Sequence, residues 1–205
     1  MEEQNFSKEE SLQLITKMIN QAKNNYYESG MGCLLWGFTN LICFVLAYFQ
    51  DTQRIKLPFN PFLLMIITFI LQIYYDRKER KIKKAVNYED EFHIYVWSAF
   101  GISVLILTVA GGFTSIGYVV LPVLLILFGI PTFISGCIKK FKPFIIGAIL
   151  CWVLSIMAFI NKGDYTSYFL VAGGAGFAWI IPGFILRSRF KKQSRLAVQN
   201  QLNGI

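Results

Sequence analysis

Residues 92–138 read FHIYVWSAFGISVLILTVAGGFTSIGYVVLPVLLILFGIPTFISGCI and contain no Asp, Glu, Lys or Arg over 47 positions. About 20 helical residues, at 1.5 Å rise each, cross a hydrocarbon layer of roughly 30 Å, so the stretch is too long for one crossing. Residues 111–117, GGFTSIG, lie in its middle, where glycines and hydroxyl side chains favour a tight turn. The stretch therefore predicts two membrane helices joined by a short hairpin.

The same uncharged pattern recurs on both sides of this stretch. A soluble helical bundle carries charges on the exposed face of every helix, which would interrupt any long apolar window. Only 16% of the residues are charged, 55% are hydrophobic, and the mean hydropathy is +0.48, which also excludes a disordered chain. Charge-free windows of 19 to 22 residues occur at Met31–Gln50, Leu57–Tyr75, Phe92–Gly111, Gly117–Ile138, Pro143–Asn161 and Tyr165–Leu186.

These windows predict an all-α integral membrane protein with six transmembrane helices arranged as three hairpins. Residues 1–30 form an amphipathic N-terminal helix in this interpretation, residues 31–186 the membrane domain, and residues 187–205 a basic tail. The distribution of Lys and Arg gives the threading, because cytoplasmic segments of membrane proteins are enriched in both. Seventeen of the 20 basic residues fall in segments on one side, so both termini are expected to be cytoplasmic.

The net charge of +8 is therefore explained by membrane topology, and we expect no nucleic-acid partner. The expected location is the cytoplasmic (inner) membrane, and the lipid bilayer is the first expected partner. A cytoplasmic protein or a second copy of the chain is the other expected partner.

The N-terminal segment has the pattern of a helix that precedes the membrane. Ser7 followed by Glu10 fits a capping box, in which each side chain bonds a backbone N–H of the first turn. Leu12, Ile15 and Ile19 then lie along one helical stripe. Such a helix either lies on the membrane surface and feeds the first span, or docks on a protein partner.

A basic run follows the second predicted span. Its Arg77, Lys78, Arg80 and Lys81 are candidate contacts for anionic lipid headgroups. Ordinary anchoring at the cytoplasmic face is the alternative interpretation. The basic C-terminal tail could contribute to the same surface.

Two prolines lie at similar depths in the fourth and sixth predicted spans. Pro131 and Pro182 each lack a backbone donor, so we expect kinks and unbonded carbonyls at Leu127 and Ala178. The sixth span also carries two pairs of small residues four apart, Ala172/Gly176 and Gly174/Ala178, which allow helices to approach closely. That approach serves either packing within the bundle or a homodimer face.

The polar residues deep in the predicted spans are neutral. Asn40, Gln72 and Thr132 are the candidate intramembrane polar positions, either as links between helices or as ligands of a solute. No charged side chain lies within a span, so proton-coupled transport through an internal carboxylate is disfavoured. The four tryptophans, together with most of the tyrosines, partly gather at span ends, which is the pattern of aromatic belts at the two membrane interfaces.

No catalytic pattern accompanies these positions. His93 is the single histidine and lies at the edge of a span, where a serine–histidine protease or a zinc site would require deeper or paired histidines. The four cysteines form no C-x-x-C pair. We therefore expect no catalytic residue, no cofactor and no metal.

Residues 10–37 read ESLQLITKMINQAKNNYYESGMGCLLWG. This stretch resembles the start of a family of small bacterial membrane proteins, in which a helix of the pattern E-S-L-x-L-I-x-x-M-I precedes a first span containing L-L-W-G. The resemblance implies a bacterial cytoplasmic membrane and implies no activity, ligand or site residue.

Two functions are compatible with this pattern. The first is a non-enzymatic polytopic membrane protein with a sensory, regulatory or scaffold role, acting through a cytoplasmic surface formed by the N-terminal helix, residues 76–91 and the tail. The second is a small transporter or channel for a neutral or apolar solute.

Overall fold

The structure is a computed structural model that describes residues 29–52, 54–82, 88–113, 117–162 and 165–202. Within these ranges every regular element is a helix, which confirms the all-α prediction. The predicted N-terminal helix falls on residues 1–28, outside the described part of the chain.

The helices follow one another with short connections. They are α1 (Met31–Asp51), a 3₁₀ turn (Pro61–Leu63), α2 (Leu64–Ile82), α3 (Tyr88–Phe113), α4 (Gly117–Ile138), α5 (Lys142–Ile160), α6 (Thr166–Ala175), a π segment (Gly176–Ile180) and α7 (Ile181–Leu202).

Five helical stretches of the described chain are long and apolar enough to cross a membrane. They are Met31–Asp51, Phe92–Phe113, Val119–Ile138, Lys142–Ile160 and Thr166–Lys192. By length and composition the chain is thus a multi-span membrane protein. The count of six spans, the hairpin arrangement and the orientation of the termini stay predictions.

The second predicted span differs most from its expected extent. We predicted a helix from Leu57, but residues 57–60 are not helical and the 3₁₀ turn begins at Pro61. The Asn60 side chain accepts a hydrogen bond from the Phe62 N–H at 3.0 Å and caps this turn. Pro58 and Pro61 explain the late start, because a proline donates no N–H and disfavours helix in the residue before it. The uncharged helix up to Tyr75 is then roughly 22 Å long.

One compact unit comprises Gly30–Ile185. Its centre is formed by α1, α4, α5, α6 and the π segment, which pack on one another around fully buried residues such as Phe44, Leu125 and Val171. Helix α2 packs mainly on α1, and α3 packs mainly on α4. No residue of the Phe92–Phe113 stretch is buried, so most of the α3 surface is available to lipid.

The turn between α4 and α5 shows how tightly the central helices are joined. Lys140 adopts a left-handed backbone conformation with φ of 48°. The Phe141 N–H donates to the Gly136 carbonyl at 2.9 Å, and the Phe141 side chain is buried. A turn this short forces α4 and α5 to run antiparallel in direct contact.

A second unit contains residues 186–202 together with Ser29 in the described part of the chain. The predicted basic tail lies here, and the structure shows that it is helical through Leu202 as the continuation of α7.

Candidate functional site

The π segment interrupts the last membrane helix at Gly176–Ile180. The Ile181 N–H donates to the Gly176 carbonyl, five residues earlier instead of four. Pro182 follows directly and has no N–H for the Ala178 carbonyl, so an α-helix would be interrupted here in any case. Wider turns of this kind are rare, and they are often found at functional sites.

Two glycines of neighbouring helices lie close to the backbone of the π segment. A Cβ atom at Gly147 of α5 would lie 2.8 Å from the Ala178 Cα, and one at Gly37 of α1 would lie 3.1 Å from the Ile180 backbone nitrogen. Real Cβ atoms essentially never approach backbone below 3.0 Å. Gly147 therefore has no room for a side chain, whereas at Gly37 the Ile180 side chain, 2.6 Å away, and its backbone nitrogen would have to shift to admit one.

Trp179 connects the π segment to α4. The indole is buried, and its N–H donates to the Thr132 hydroxyl oxygen at 3.0 Å. The Thr132 hydroxyl in turn donates to the Phe128 carbonyl at 2.7 Å. Thr132 was predicted as an intramembrane polar position, and the structure places it in a link between two helices.

Four aromatic rings form a contiguous cluster around this link, here called the aromatic cluster: Trp97, Phe100, Phe128 and Trp179. Ring centroids are 4.6 Å apart for Phe128 and Trp179, 5.9 Å for Phe100 and Phe128, and 6.0 Å for Trp97 and Trp179. The aromatic cluster joins α3, α4 and the π segment through tilted and edge-on ring contacts.

The two indoles of the aromatic cluster differ in their hydrogen bonding. The Trp97 Nε1 atom is buried and has no hydrogen-bond partner within the described residues, whereas the Trp179 Nε1 is bonded. A buried donor without a partner is energetically unfavourable, and a neutral acceptor could satisfy it. We predicted Trp97 and Trp179 as interfacial belt residues; Trp179 instead lies in the interior.

The other predicted polar positions donate hydrogen bonds within their own helices. Asn40 is buried and its amide donates to the Trp36 carbonyl of its own helix at 2.9 Å. Gln72 of α2 donates to the Asp76 carboxylate at 2.7 Å, and its buried oxygen has no partner in the described part of the chain. Asn40, Gln72 and Thr132 therefore lie on three different helices in three different environments.

The two predicted packing glycines differ in whether a side chain would have room at their positions. A Cβ at Gly174 would lie 2.5 Å from Leu125 Cδ2, so this glycine is a packing position inside the bundle. At Gly176 a Cβ would meet nothing within 4 Å. Pro131 and Pro182 are both fully buried within α4 and α7.

Proline-containing α4 receives hydrogen bonds from outside its own backbone. Trp152 of α5 donates to the Ile126 carbonyl at 3.4 Å, in the turn before Pro131. Ser155, also of α5, donates to the Pro122 carbonyl at 2.9 Å. Side chains of α5 therefore add hydrogen bonds to carbonyls of α4 in the segment from Pro122 to Pro131.

Arg77 is exposed, and Lys78, Arg80 and Lys81 continue α2, with side chains that lie outside the described part of the molecule. Among the described residues no group of three or more His, Cys, Asp or Glu could hold a metal ion. His93 stacks at 5.7 Å on Trp97.

Sequence reasoning missed Trp179, Gly37 and Gly147 as site residues. The position of Trp179 along its predicted span could have revealed it. Trp179 lies about 10 Å inside the end of that span, deeper than an interfacial belt. No protein-family model, curated protein or solved structure matches the chain. The function is therefore argued from the geometry.

Proposed function

We propose that this chain is a non-enzymatic, regulatory protein of the bacterial inner membrane that acts through its cytoplasmic surface. The observation that carries the proposal is α7, which does not end with the apolar span at Leu186 but continues to Leu202. In the proposed topology these additional residues lie in the cytoplasm.

An anchoring role alone does not require this continuation. A transmembrane span needs about 20 residues. An isolated polar helix as short as the continuation, residues 187–202, is marginal in water. As the extension of a membrane helix, the segment is already nucleated and forms a helical arm that continues to Leu202. Gln199, an exposed residue near its end, is available to a cytoplasmic partner.

The π segment supplies an element with two possible arrangements. Conversion of a π turn to an α turn would rotate every following residue by about 100° around the helix axis. Trp179, bonded to Thr132, favours the π arrangement seen here. A signal that breaks this bond would thus change the face that α7 presents.

Site-specific photocrosslinking in cells tests this proposal. A photoreactive side chain at Gln199 should give one discrete protein adduct, whereas the same group at Ile106, on the exposed surface of α3, should give lipid adducts alone. The Gln199 adduct should weaken when Thr132 is replaced by Val. Absence of any discrete adduct at Gln199 would contradict a regulatory role through this arm.

The alternative, a transporter for a neutral solute, is supported by the unpaired polar atoms of Trp97 and Gln72. A swelling assay on liposomes that contain the purified protein distinguishes transport from the regulatory function. Faster swelling in glycerol than in protein-free liposomes, combined with no adduct at Gln199, would replace the regulatory proposal with transport.

A further inference from the structure

The C-terminal part of α7 has a one-sided charge composition. Between Tyr165 and Ile205 the chain has five basic residues and no Asp or Glu. The basic residues fall within nine positions: Arg187, Arg189, Lys191, Lys192 and Arg195. The segment therefore supplies no acidic side chain beside the exposed Lys191, Lys192 and Arg195, in contrast to the basic run after α2, which is followed by Glu89, Asp90 and Glu91.

The helix places these charges in an ordered array, here called the basic array. Arg187, Lys191 and Arg195 recur at four-residue intervals, so they follow one side of α7 over about 12 Å. Lys191, Lys192 and Arg195 are exposed. Cations at this spacing can each meet a different phosphate.

The length of the last apolar helical stretch indicates where the basic array lies relative to the lipid headgroups. The stretch that is long and apolar enough to cross a membrane runs from Thr166 to Lys192, which is 27 residues. It measures about 40 Å at helical rise, against roughly 30 Å for the hydrocarbon layer. Because the apolar part of this stretch ends at Leu186 and basic residues follow, its final turns are expected in the headgroup layer, where the phosphates are.

We propose that the basic array, residues 187–195 of α7, binds the phosphates of anionic phospholipid headgroups in the leaflet from which the helix emerges. An anionic lipid is favoured over an acidic protein because the first cation follows the apolar span directly, within reach of headgroups and not of a soluble partner. This inference does not depend on the regulatory proposal, since lipid binding requires no protein partner.

Electron paramagnetic resonance on the full chain in dioleoylphosphatidylcholine vesicles tests the proposal. The probes are spin-labelled phosphatidylglycerol and spin-labelled phosphatidylcholine, and the readout is the ratio of their fractions immobilised by the protein. We expect a preference for phosphatidylglycerol that falls by about threefold or more in a Lys191→Gln, Lys192→Gln, Arg195→Gln variant. It should also fall at 1 M salt, where the screening length is about 3 Å.

The matched control removes three exposed cations elsewhere, in an Arg54→Gln, Lys56→Gln, Lys162→Gln variant, and should keep the preference. A Lys191→Arg, Lys192→Arg variant should also keep it, because charge is retained. An unchanged preference in the glutamine variant of the basic array, or an equal loss in the control, would overturn the proposal. Either result would leave the crosslinking test at Gln199 unaffected.

Discussion

Gly37 and Gly147 of the central helices have surroundings opposite to those of Gly101 and Gly112 of α3. Gly37 and Gly147 lie close to the π segment, where a Cβ atom would overlap backbone atoms at Gly147 and the Ile180 side chain at Gly37. Gly101 and Gly112 of α3 would have a Cβ with nothing within 4 Å. Glycine is therefore a requirement for helix contact at Gly147 and has no packing role within the described chain at Gly101 and Gly112.

The largest expected effect comes from adding one methyl group at each kind of glycine. Gly147→Ala should lower the free energy of unfolding by about 1–3 kcal/mol, because the new Cβ would overlap Ala178 and the Phe177 carbonyl. Gly101→Ala should be neutral or slightly stabilising, since alanine favours helix and the site is open. Unfolding in mixed micelles with increasing SDS measures both.

Equal effects of the two alanine substitutions would contradict the contrast between these regions. Gly37→Ala provides a second central site, where the Ile180 side chain can yield more easily than backbone. We expect its loss of stability to lie between those of the other two variants.

An intermediate effect is expected within the aromatic cluster. Trp179→Phe removes the donor to Thr132 and should cost about 1 kcal/mol. Trp97→Phe removes a buried N–H that has no partner in the described residues, so the gain from removing this donor offsets lost ring contact. The SDS midpoints of the two variants, followed by the remaining tryptophan fluorescence, should therefore differ.

A larger loss for Trp97→Phe than for Trp179→Phe would indicate that the Trp97 N–H has an unrecognised acceptor. That result would place a ligand or water at the aromatic cluster.

The smallest effect is expected for threonines that bond between or within helices. The hydroxyls of Thr39 in α1 and Thr68 in α2 are 2.7 Å apart, whereas Thr108 bonds the Val104 carbonyl of its own helix, α3. Thr39→Val should cost about 0.6 kcal/mol, in the range of interhelical hydrogen bonds in membranes. Thr108→Val should be close to zero in the same SDS assay, and a loss as large as that of Thr39→Val would contradict the interhelical role.

Much of the helical pattern could be predicted because each window is locally defined. The predicted window Gly117–Ile138 coincides with α4, since an uncharged segment bounded by glycine and lysine has one natural extent. The start of α2 could not be placed in the same way. There Pro58 and Pro61 interrupt an apolar run that hydropathy alone treats as continuous.

The candidate site was only partly predictable. Thr132 and Pro182 were singled out as polar and helix-breaking residues, and both lie at or next to the π segment and its link to α4. Trp179 was assigned to the interface, because composition does not distinguish an indole that faces lipid from one that faces a neighbouring helix. Asn40 satisfies its amide donor within its own helix, an outcome that spacing cannot reveal.

The sequence by itself determined that the chain has helices long and apolar enough to cross a membrane, and it determined the extent of most of them. Apolar windows and charges report directly on the free energy of transfer from water to lipid. Only the tertiary structure decided which surfaces of those helices face protein. Lipid tails are as apolar as the side chains on the helices, so hydrophobicity does not drive the helices together. Their contacts depend instead on shape and hydrogen bonding. For that reason Gly147 and Gly101 look alike in the sequence and differ completely in the fold.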